Sequence, residues 1–367
     1  MKKIWRRIKY FNENDAIKLT LVAIFVIVFV LILFNQTTIN FSVNGFSSLA
    51  QNELQVYFLD VGQATSTFVV LPNRETLLID TGSEDSEDDL LESVDWILDK
   101  NNLSDVDYLI LTHSDADHVG GAAAILEKYN VFVVYRPKIL ARSEFLLANT
   151  YGFEVVYTDA YDEAITAVNQ EPNCQIEFTE EEHLFSKYFT IDIYPAQKEF
   201  YSETNAYSPF VALTCFGKTF LFTGDVTSSR ENEFLSMLEE CEMNLQVDFL
   251  SVAHHGSRYS TTEEFLQKIK PQYAFISAGD ASHPAQQVLR RLEDCGVQDI
   301  FVTKADGTIG VGVSSDGNFV IFDNPTIIDL PTVVVVLCLL CFVIIKFIDQ
   351  KGKESIRFKP AIRHKTL

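Results

Sequence analysis

The 367-residue sequence predicts a layered α/β domain, with sheets inside and helices on both outer faces, and one transmembrane helix at each end of the chain. Strand and helix signals alternate almost without a break between residues 53 and 325. A long apolar run lies on each side of that region. Several of the predicted strands are followed immediately by side chains that can bind metals. This pattern indicates that the middle region is the functional one.

The N-terminal apolar run predicts a membrane anchor. The first ten residues, MKKIWRRIKY, carry five basic groups, and the stretch from Leu19 to Phe34 is almost wholly apolar. A run of this length can cross a bilayer. The next residues, NQTTINFSVNG, lack the small-x-small site of a cleaved signal peptide, which favours an uncleaved anchor. We predict a basic cytoplasmic segment over 1–16, a transmembrane helix over 17–34 and a tether over 35–52.

The C-terminal apolar run predicts a second span. Leu330 to Ile345 is followed by Lys346, whose side chain can reach the membrane interface, and seven basic residues lie between Lys346 and Lys365. Basic residues beside a span favour the cytoplasm, so both termini should be cytoplasmic and the middle extracellular. We predict a two-pass protein of the cell membrane, whose partners are the lipid bilayer and an undetermined membrane protein. Its remaining parts are a domain over 53–325, a transmembrane helix over 330–348 and a basic tail over 349–367.

The middle region is strongly acidic. Residues 1–34 and 330–367 hold 13 of the 29 basic residues but four of the 51 acidic ones, so the rest carries 16 basic and 47 acidic residues. Its formal charge of −31 repels polyanions over about a Debye length. A nucleic acid therefore needs a cleft that is locally basic or filled with metal. Arg136, Lys138 and Arg142 form one basic cluster in the sequence, either a path for phosphates or a scattered surface trio.

The elements of the domain follow in a regular order. Three predicted strands, ELQVYFLDVG, STFVVLP and ETLLID, precede an acidic amphipathic helix, SEDSEDDLLESVDWILDK, and a buried strand, DVDYLILTH. VFVVY, FEVVYT, FTIDIY, SPFVALTCF and KTFLFTGD are further predicted strands, the last two joined by a tight turn at Gly217 and Lys218. Helices and strands then alternate to residue 303. We expect Arg142 to Glu182 to be the least regular part, an insertion near the site.

The cysteines of the domain leave their pairing open. Cys174, Cys215, Cys241 and Cys295 show no CxxC metal spacing. Either disulfides or buried free thiols are compatible with the sequence.

Candidate site residues fall at the carboxyl ends of predicted strands. In α/β sheets, ligands collect at that edge, so we expect these side chains to converge on one cleft. The residues concerned are Asp60, Asp80, His113, Asp225, His254, His255 and His283.

The densest cluster is an HxDxDH motif made by His113, Asp115, Asp117 and His118. On a turn that leads into a helix, this spacing points several donors at one small volume, and imidazole with carboxylate suits Zn²⁺ or Mn²⁺. A capped helix start would explain one such residue but not four. We expect the glycine pair at 120–121 to let the backbone pass close to the ions.

These motifs resemble a known family. HxDxDHxGG after a strand, with LIDTG upstream and TGD, HHGS and HP downstream, resembles the metallo-β-lactamase-like αββα sandwich. The sequence is most similar to the extracellular hydrolase domain of competence-type DNA-uptake proteins and to the related choline-phosphate esterases of cell walls. The similarity covers about Leu54 to Phe322, nearly the whole middle domain.

The resemblance implies two divalent metal ions, Zn or Mn. Two ions can activate water as hydroxide near neutral pH and stabilise charge on an attacked phosphorus. The family motif places Asp225 between the two ions. The metal ligands implied are His113, Asp115, Asp117, His118, Asp225 and His254.

The resemblance also implies residues that act beside the metals. Asp117 would orient the hydroxide, while His255 and His283 are either ligands or groups that meet the leaving oxygen; we therefore predict these three as catalytic. Asp80 would orient a ligand histidine. The full set of supporting or substrate-binding residues that we predict is Asp60, Asp80, Asn205, Ser257 and Arg258. From the sequence, Arg258 is either a cation that meets a phosphate or a solvated loop arginine.

The sequence departs from the family pattern at several points. Gly62-Gln63-Ala64-Thr65 stands where the family has GQGD, so one carboxylate is missing, and Lys304 stands where relatives often carry an acid. No histidine before TGD supplies the usual third ligand to the first metal, although Asn205 lies where competence-type domains have asparagine. With two predicted spans rather than a multispan channel, the chain is not expected to take up DNA alone.

Three functions remain open from the sequence. The first is a membrane-anchored extracellular phosphodiesterase, nuclease-like, with DNA as the substrate that the resemblance favours. The second is an enzyme that acts on an envelope polymer, a choline-phosphate ester or a small phosphodiester, which would tolerate the acidic surface better. The third is a binding or sensing module whose site has decayed, as Ala64 and Thr65 would suggest. Other hydrolases, such as a β-lactamase, complete the range.

Overall fold

The computed structural model describes residues 53–323, except residues 181, 199 and 281. The described residues belong to one compact unit, Asn44–Pro325. The predicted spans over 17–34 and 330–348, the tether and both basic ends lie outside them. Within the described part of the chain, no helix is both long and apolar enough to cross a membrane.

The strands of the described residues form two large sheets and one small one. In chain order they are β1 (Leu54–Phe58), β2 (Thr67–Val70), β3 (Thr76–Ile79), β4 (Val106–Ile110), β5 (Val131–Arg136), β6 (Ile139–Ala141), β7 (Glu154–Val156), β8 (Gln175–Phe178), β9 (Glu182–Phe185), β10 (Phe189–Tyr194), β11 (Phe210–Cys215), β12 (Lys218–Phe222), β13 (Phe249–Ser251), β14 (Tyr273–Ile276), β15 (Asp299–Val302), β16 (Ile309–Val313) and β17 (Phe319–Asp323).

Each large sheet is antiparallel on one side and parallel on the other. The first has the order β17-β16-β1-β2-β3-β4-β5-β8 and becomes parallel from β3 onward. The second has the order β15-β14-β13-β12-β11-β10-β9 and is parallel from β15 to β12. The small sheet pairs β6 with β7. The parallel sides position the site, because carboxyl ends of parallel strands meet at one edge.

The α-helices lie mainly between the parallel strands. They are α1 (Glu87–Asn101), α2 (Ala116–Val119), α3 (Ala122–Lys128), α4 (Ala148–Tyr151), α5 (Asp159–Gln170), α6 (Ser228–Glu240), α7 (Glu263–Ile269), α8 (Gln286–Asp294) and α9 (Thr303–Asp306). Short 3-10 turns occur at Glu84–Ser86, Arg142–Leu147, Thr204–Tyr207 and His254–Gly256.

Helix α1 shows why the acidic segment folds as predicted. Its first turn carries Glu87, Asp88 and Asp89, whose carboxylates complement the exposed amides of a helix start. Leu90, Val94, Ile97 and Leu98 are buried, at the spacing of one helix face. The helix ends where Asn102 adopts a left-handed conformation with φ of 51°.

Three apolar layers hold the domain together as an αββα sandwich. The middle layer packs one sheet on the other, for example through Phe58 and Phe275, whose ring centroids stack 4.1 Å apart. A second layer lies under α1, α3 and α5, where Leu90, Ile125 and Ile165 are all buried. The third lies under α6, α7 and α8. The predicted layered fold of the domain is therefore confirmed.

Three details differ from the sequence prediction. The segment 142–182 is not irregular, since α5 buries Tyr161, Ala164, Ile165 and Val168 along one face. The turn between β11 and β12 consists of Phe216 and Gly217, both with positive φ as a type I′ turn requires, and Lys218 already belongs to β12. The hairpin β16–β17, which the sequence prediction did not include, extends the first sheet beside β1. The four described cysteines are free thiols.

Candidate metal centre

The loops after five strands bring the candidate site residues together. Asp80 follows β3, His113 follows β4, Asp225 follows β12, His254 and His255 follow β13, and His283 follows β14. These are the parallel sides of the two sheets. The donor atoms of Asp117, His118 and His255 lie within 4.8 Å of one another.

His118 is the most tightly held of these side chains. It is fully buried, with Nδ1 2.7 Å from Asp80 Oδ2 and Nε2 3.0 Å from Asp225 Oδ1. Asp80 is itself fixed by the amide and hydroxyl of Thr112, 2.7 Å and 2.5 Å away. Burial lowers the pKa of His118, but the carboxylates of Asp225 and Asp80 outweigh it and raise this pKa well above its usual value. The surroundings of His118 Nε2 therefore favour a positive charge at this point.

His255 has the geometry of a ligand. It is buried, and its Nδ1 donates to the backbone carbonyl of Ser277 at 2.8 Å. That bond leaves the Nε2 lone pair facing inward, 3.0 Å from Asp117 Oδ2. A backbone acceptor behind a histidine is the arrangement that fixes metal ligands, so the geometry favours a ligand role over the catalytic one predicted for His255.

A second donor set lies on the other side of Asp225. His113 is fully buried, and its Nε2 is 3.2 Å from Asp115 Oδ2, whose side chain is 44% exposed. Asn205 donates from Nδ2 to Asp225 Oδ2 at 3.2 Å, and His254 Nε2 lies 3.7 Å from the same oxygen. Burial raises the pKa of Asp225, but the imidazoles, His118 foremost, outweigh it and hold this pKa far below its usual range.

The side chains of the adjacent residues His254 and His255 point in different directions because the backbone is left-handed at both. His254 and His255 have φ of 52° and 53°, a left-handed conformation that costs about 1 to 3 kcal/mol for a residue other than glycine. His255 is turned inward, whereas the side chain of His254 stays 32% exposed. Strain of this kind is typical of functional sites.

The donor set fits divalent metal ions. Buried polar atoms normally have hydrogen-bond partners. Among the described residues, several buried donor atoms here make no hydrogen bond of good geometry, although His118 Nε2 and Asp225 Oδ1 lie 3.0 Å apart. Imidazole and carboxylate groups that share one space suit a divalent cation such as Zn²⁺ or Mn²⁺. The atoms are both ring nitrogens of His113, His118 Nε2, Asp225 Oδ1 and His254 Nδ1.

Comparison with known proteins agrees with this fold. Residues 59–280 match the model of the Metallo-beta-lactamase superfamily. The chain belongs to this superfamily. It has the fold of the superfamily's metal-dependent hydrolases, and the resemblance expected from the sequence is confirmed.

Curated relatives of this superfamily member include competence proteins. The chain is 29% identical over 279 residues to ComE operon protein 3 of Bacillus subtilis, covering 70% of the chain and 33% of that protein. It is 24% identical to Competence protein ComA of Neisseria gonorrhoeae, covering 74% of the chain and 34% of that protein. The chain thus spans about a third of the length of these curated relatives. A solved metallo-beta-lactamase fold protein, YhfI from Bacillus subtilis, is 11% identical, covers 74% of this chain and 100% of that one, and has a TM-score of 0.44.

The glycine pair after the metallo-beta-lactamase motif packs closely against a neighbouring loop. A Cβ on Gly120 would lie 2.4 Å from the amide nitrogen of Glu84, and one on Gly121 would lie 2.4 Å from the carbonyl oxygen of Thr81. The backbone at both glycines therefore lies against the loop that follows β3, where a side chain would not fit. By packing backbone against backbone, the glycines bring Asp80 and His118 into register.

Other predicted residues lie further from the donor sets. Asp60 accepts a hydrogen bond from the amide of Gly62 at 3.4 Å, within its own loop. Ser257 is buried, and its amide donates to the carbonyl of His254 at 2.8 Å. His283 lies beside His255, with ring centroids 6.2 Å apart. Its Nδ1 is 2.9 Å from Ser282 Oγ, so Nε2 is on the other edge of the ring.

The basic cluster that the sequence left as either a phosphate path or a scattered surface trio is neutralised by acids. Arg136 is buried and pairs with Glu144 at 2.7 Å. Lys138 lies 3.3 Å from Glu180, and Arg142 contacts Asp159 and Asp162 at 2.9 Å and 3.1 Å. These partners follow from the folding of the 142–182 segment, which the sequence prediction left irregular.

Two residues that support the site were missed from the sequence. Gln63 accepts hydrogen bonds from the amides of Gly279 and Asp280, at 2.8 Å and 2.9 Å, and so ties the loop after β1 to the loop of His283. Glu231, fully buried on α6, accepts bonds from the amides of Thr261 and Thr262. The departure from GQGD drew attention to Ala64 and Thr65 rather than to Gln63, and Glu231 carries no sequence signal beyond an acid in the first turn of a helix.

Proposed function

We propose that this protein is a metal-dependent phosphodiesterase that cleaves nucleic acid. The observation that best supports this proposal is the position of Asp225. Its Oδ1 faces His118, and its Oδ2 faces Asn205 and His254. Two donor sets on either side of one carboxylate suit a pair of ions. Two divalent ions held this way would supply an activated water and charge neutralisation for the phosphate group.

Different residues of the chain would hold the ions and contact the substrate. Asp117, His118 and His255 would hold one ion, and His113 with Asp115 would hold the other beside His254. Asp80 keeps the His118 ring in place, because it accepts from Nδ1. His283 stands beside this set and would donate a hydrogen bond from Nε2 to a substrate oxygen.

The choice of nucleic acid rests on the relatives, which include a competence protein. A second candidate substrate, a small or envelope phosphodiester, is favoured by one observation. Arg136, Lys138 and Arg142 are paired with acids and offer no basic path on an acidic domain. Such a surface disfavours long polyanions unless other cations near the metals capture them.

The first test is hydrolysis by the full chain purified in detergent. We expect about two divalent ions for each chain after loading with Zn²⁺ or Mn²⁺, and cleavage of bis-p-nitrophenyl phosphate and single-stranded DNA. Asp117→Asn should lose both activities, because it removes a charged donor next to His255. Cleavage of a choline-phosphate ester but not of DNA would move the substrate to the envelope, and no turnover of any ester would leave a sensing module.

We further propose that the chain is a two-pass membrane protein with the domain outside the cell. The support is the apolar runs and the basic residues beside them. Protease added to intact cells stripped of their wall should degrade the domain, while epitope tags fused to both termini stay protected until the membrane is opened. Digestion of either tag in intact cells would overturn this topology.

A further inference from the structure

The loop after His255 presents a cation and an aromatic ring together. Arg258 and Tyr259 lie three and four residues beyond this histidine, on the loop between β13 and α7. Tyr259 is 62% exposed, although large aromatic side chains usually gain by burial. The Arg258 guanidinium lies 4.7 Å from the centre of the Tyr259 ring and donates to the tyrosine hydroxyl. The pair therefore forms one composite surface on the loop that carries His254 and His255.

The backbone of this loop is held from two helices. Arg291 on α8 donates to the carbonyls of Arg258, Ser260 and Thr261, at 3.2 Å, 2.9 Å and 3.2 Å. The amide of Ser228, at the start of α6, donates to the carbonyl of Tyr259 at 3.1 Å. All of these bonds engage the backbone and leave the side chains of Arg258 and Tyr259 pointing outward. A surface fixed before binding loses little entropy when a ligand arrives.

The lack of a carboxylate partner distinguishes Arg258 from the basic cluster of Arg136, Lys138 and Arg142. Arg136, Lys138 and Arg142 each contact a carboxylate. Within residues 53–323, apart from the three that are not described, no carboxylate lies within ion-pair distance of Arg258. On an acidic domain, a guanidinium without a carboxylate partner, three residues from His255, is a point that attracts a phosphate.

We propose that Arg258 and Tyr259 form a nucleotide-binding element, which rests on the proposed function. Arg258 contacts a phosphate next to the scissile one, and Tyr259 stacks on the adjoining base. A base has a flat face for stacking whatever its identity, so the element binds single-stranded nucleic acid without sequence preference. The same pair disfavours a choline ester, because the guanidinium repels the quaternary ammonium that an aromatic ring alone would attract.

The test compares two single-stranded substrates of equal length, oligo(dT) and an oligomer of abasic deoxyribose phosphate. Tyr259→Ala should raise KM for oligo(dT) about tenfold and leave KM for the abasic oligomer unchanged, because only oligo(dT) has a base on which the ring can stack. Tyr259→Phe keeps the ring and should retain most of the affinity. Arg258→Ala should weaken the binding of both oligomers, since it removes the phosphate contact. Phe185→Ala is the matched control, because Phe185 is 80% exposed on β9, at the edge of the second sheet.

Binding measured without turnover separates this proposal from the enzymatic one. Fluorescence anisotropy of labelled oligo(dT) in Ca²⁺ should show the same tenfold loss for Tyr259→Ala. That loss in a protein that cleaves no DNA would refute the nuclease proposal and support the binding element. Equal losses on both oligomers, or an effect of Tyr259→Ala on a choline-phosphate ester alone, would overturn the element.

Discussion

Replacement of Asp225 by asparagine is expected to abolish hydrolysis while leaving the domain folded. Asparagine keeps the shape of the side chain but removes the charge that faces His118, Asn205 and His254. If Asp225 serves two ions as proposed, loss of its charge would cost several kcal/mol of transition-state stabilisation, or at least about a thousandfold in rate. Hydrolysis of bis-p-nitrophenyl phosphate and the metal content of the purified protein are the measurements.

Asp80→Asn provides a graded comparison. Asp80 contacts Nδ1 of His118 and not the donor atoms around Asp225. Its replacement should therefore reduce activity only by changing the orientation of the His118 ring. Loss of such a partner typically costs about 10- to 100-fold in metal affinity or activity. Two results would contradict the central position of Asp225. One is that Asp225→Asn retains more than a tenth of the wild-type activity; the other is that Asp80→Asn loses more activity than Asp225→Asn. Circular dichroism should show both variants folded.

The largest expected loss of stability comes from Phe249→Ala. The Phe249 side chain is fully buried between the sheets, stacked 4.4 Å from Phe220 and edge-on to Phe319 at 5.2 Å. Phe220 belongs to the second sheet and Phe319 to the first, so one ring joins both. Truncation of a buried phenylalanine lowers the free energy of unfolding by about 3 to 5 kcal/mol, because the cavity does not close fully.

Chemical denaturation with tryptophan fluorescence or circular dichroism measures this loss. Phe132→Ala is the matched control, since Phe132 is 43% exposed on β5, and surface changes usually alter the free energy of unfolding by about 0.5 kcal/mol or less. Similar losses for the two variants would mean that the inter-sheet layer does not carry the stability assigned to it.

The sequence predicts the framework of this protein well and the contacts of its side chains less well. Strand ends could be found because apolar runs stop at polar residues, which placed His113 and Asp225 at one edge of the sandwich. Which of His254 and His255 turns inward could not be found, because it depends on a left-handed backbone at both residues. The family motifs name both histidines without giving their directions.

Long-range pairing explains the other differences. Arg136 lies in a local basic cluster, yet its partner Glu144 and the aromatic rings of Tyr161 and Phe178 depend on how the 142–182 segment folds back. The glycine pair at 120–121 is likewise explained only by the loop at Thr81 and Glu84, which a local pattern does not place. Local periodicity carries no information about such tertiary contacts, whether the partner is eight residues away, as Glu144 is from Arg136, or much farther along the chain.

The contact between Asp117 and His255 has a consequence for the resistance of the protein to proteolysis. The two residues stand 138 positions apart, and a bond through a shared ion would close that loop in the manner of a cross-link. An ion that binds only the folded chain stabilises it in proportion to the logarithm of the free ion concentration. The resistance of the protein to proteolysis should therefore follow the supply of divalent metal, so that starvation for metal removes the molecule as well as its activity.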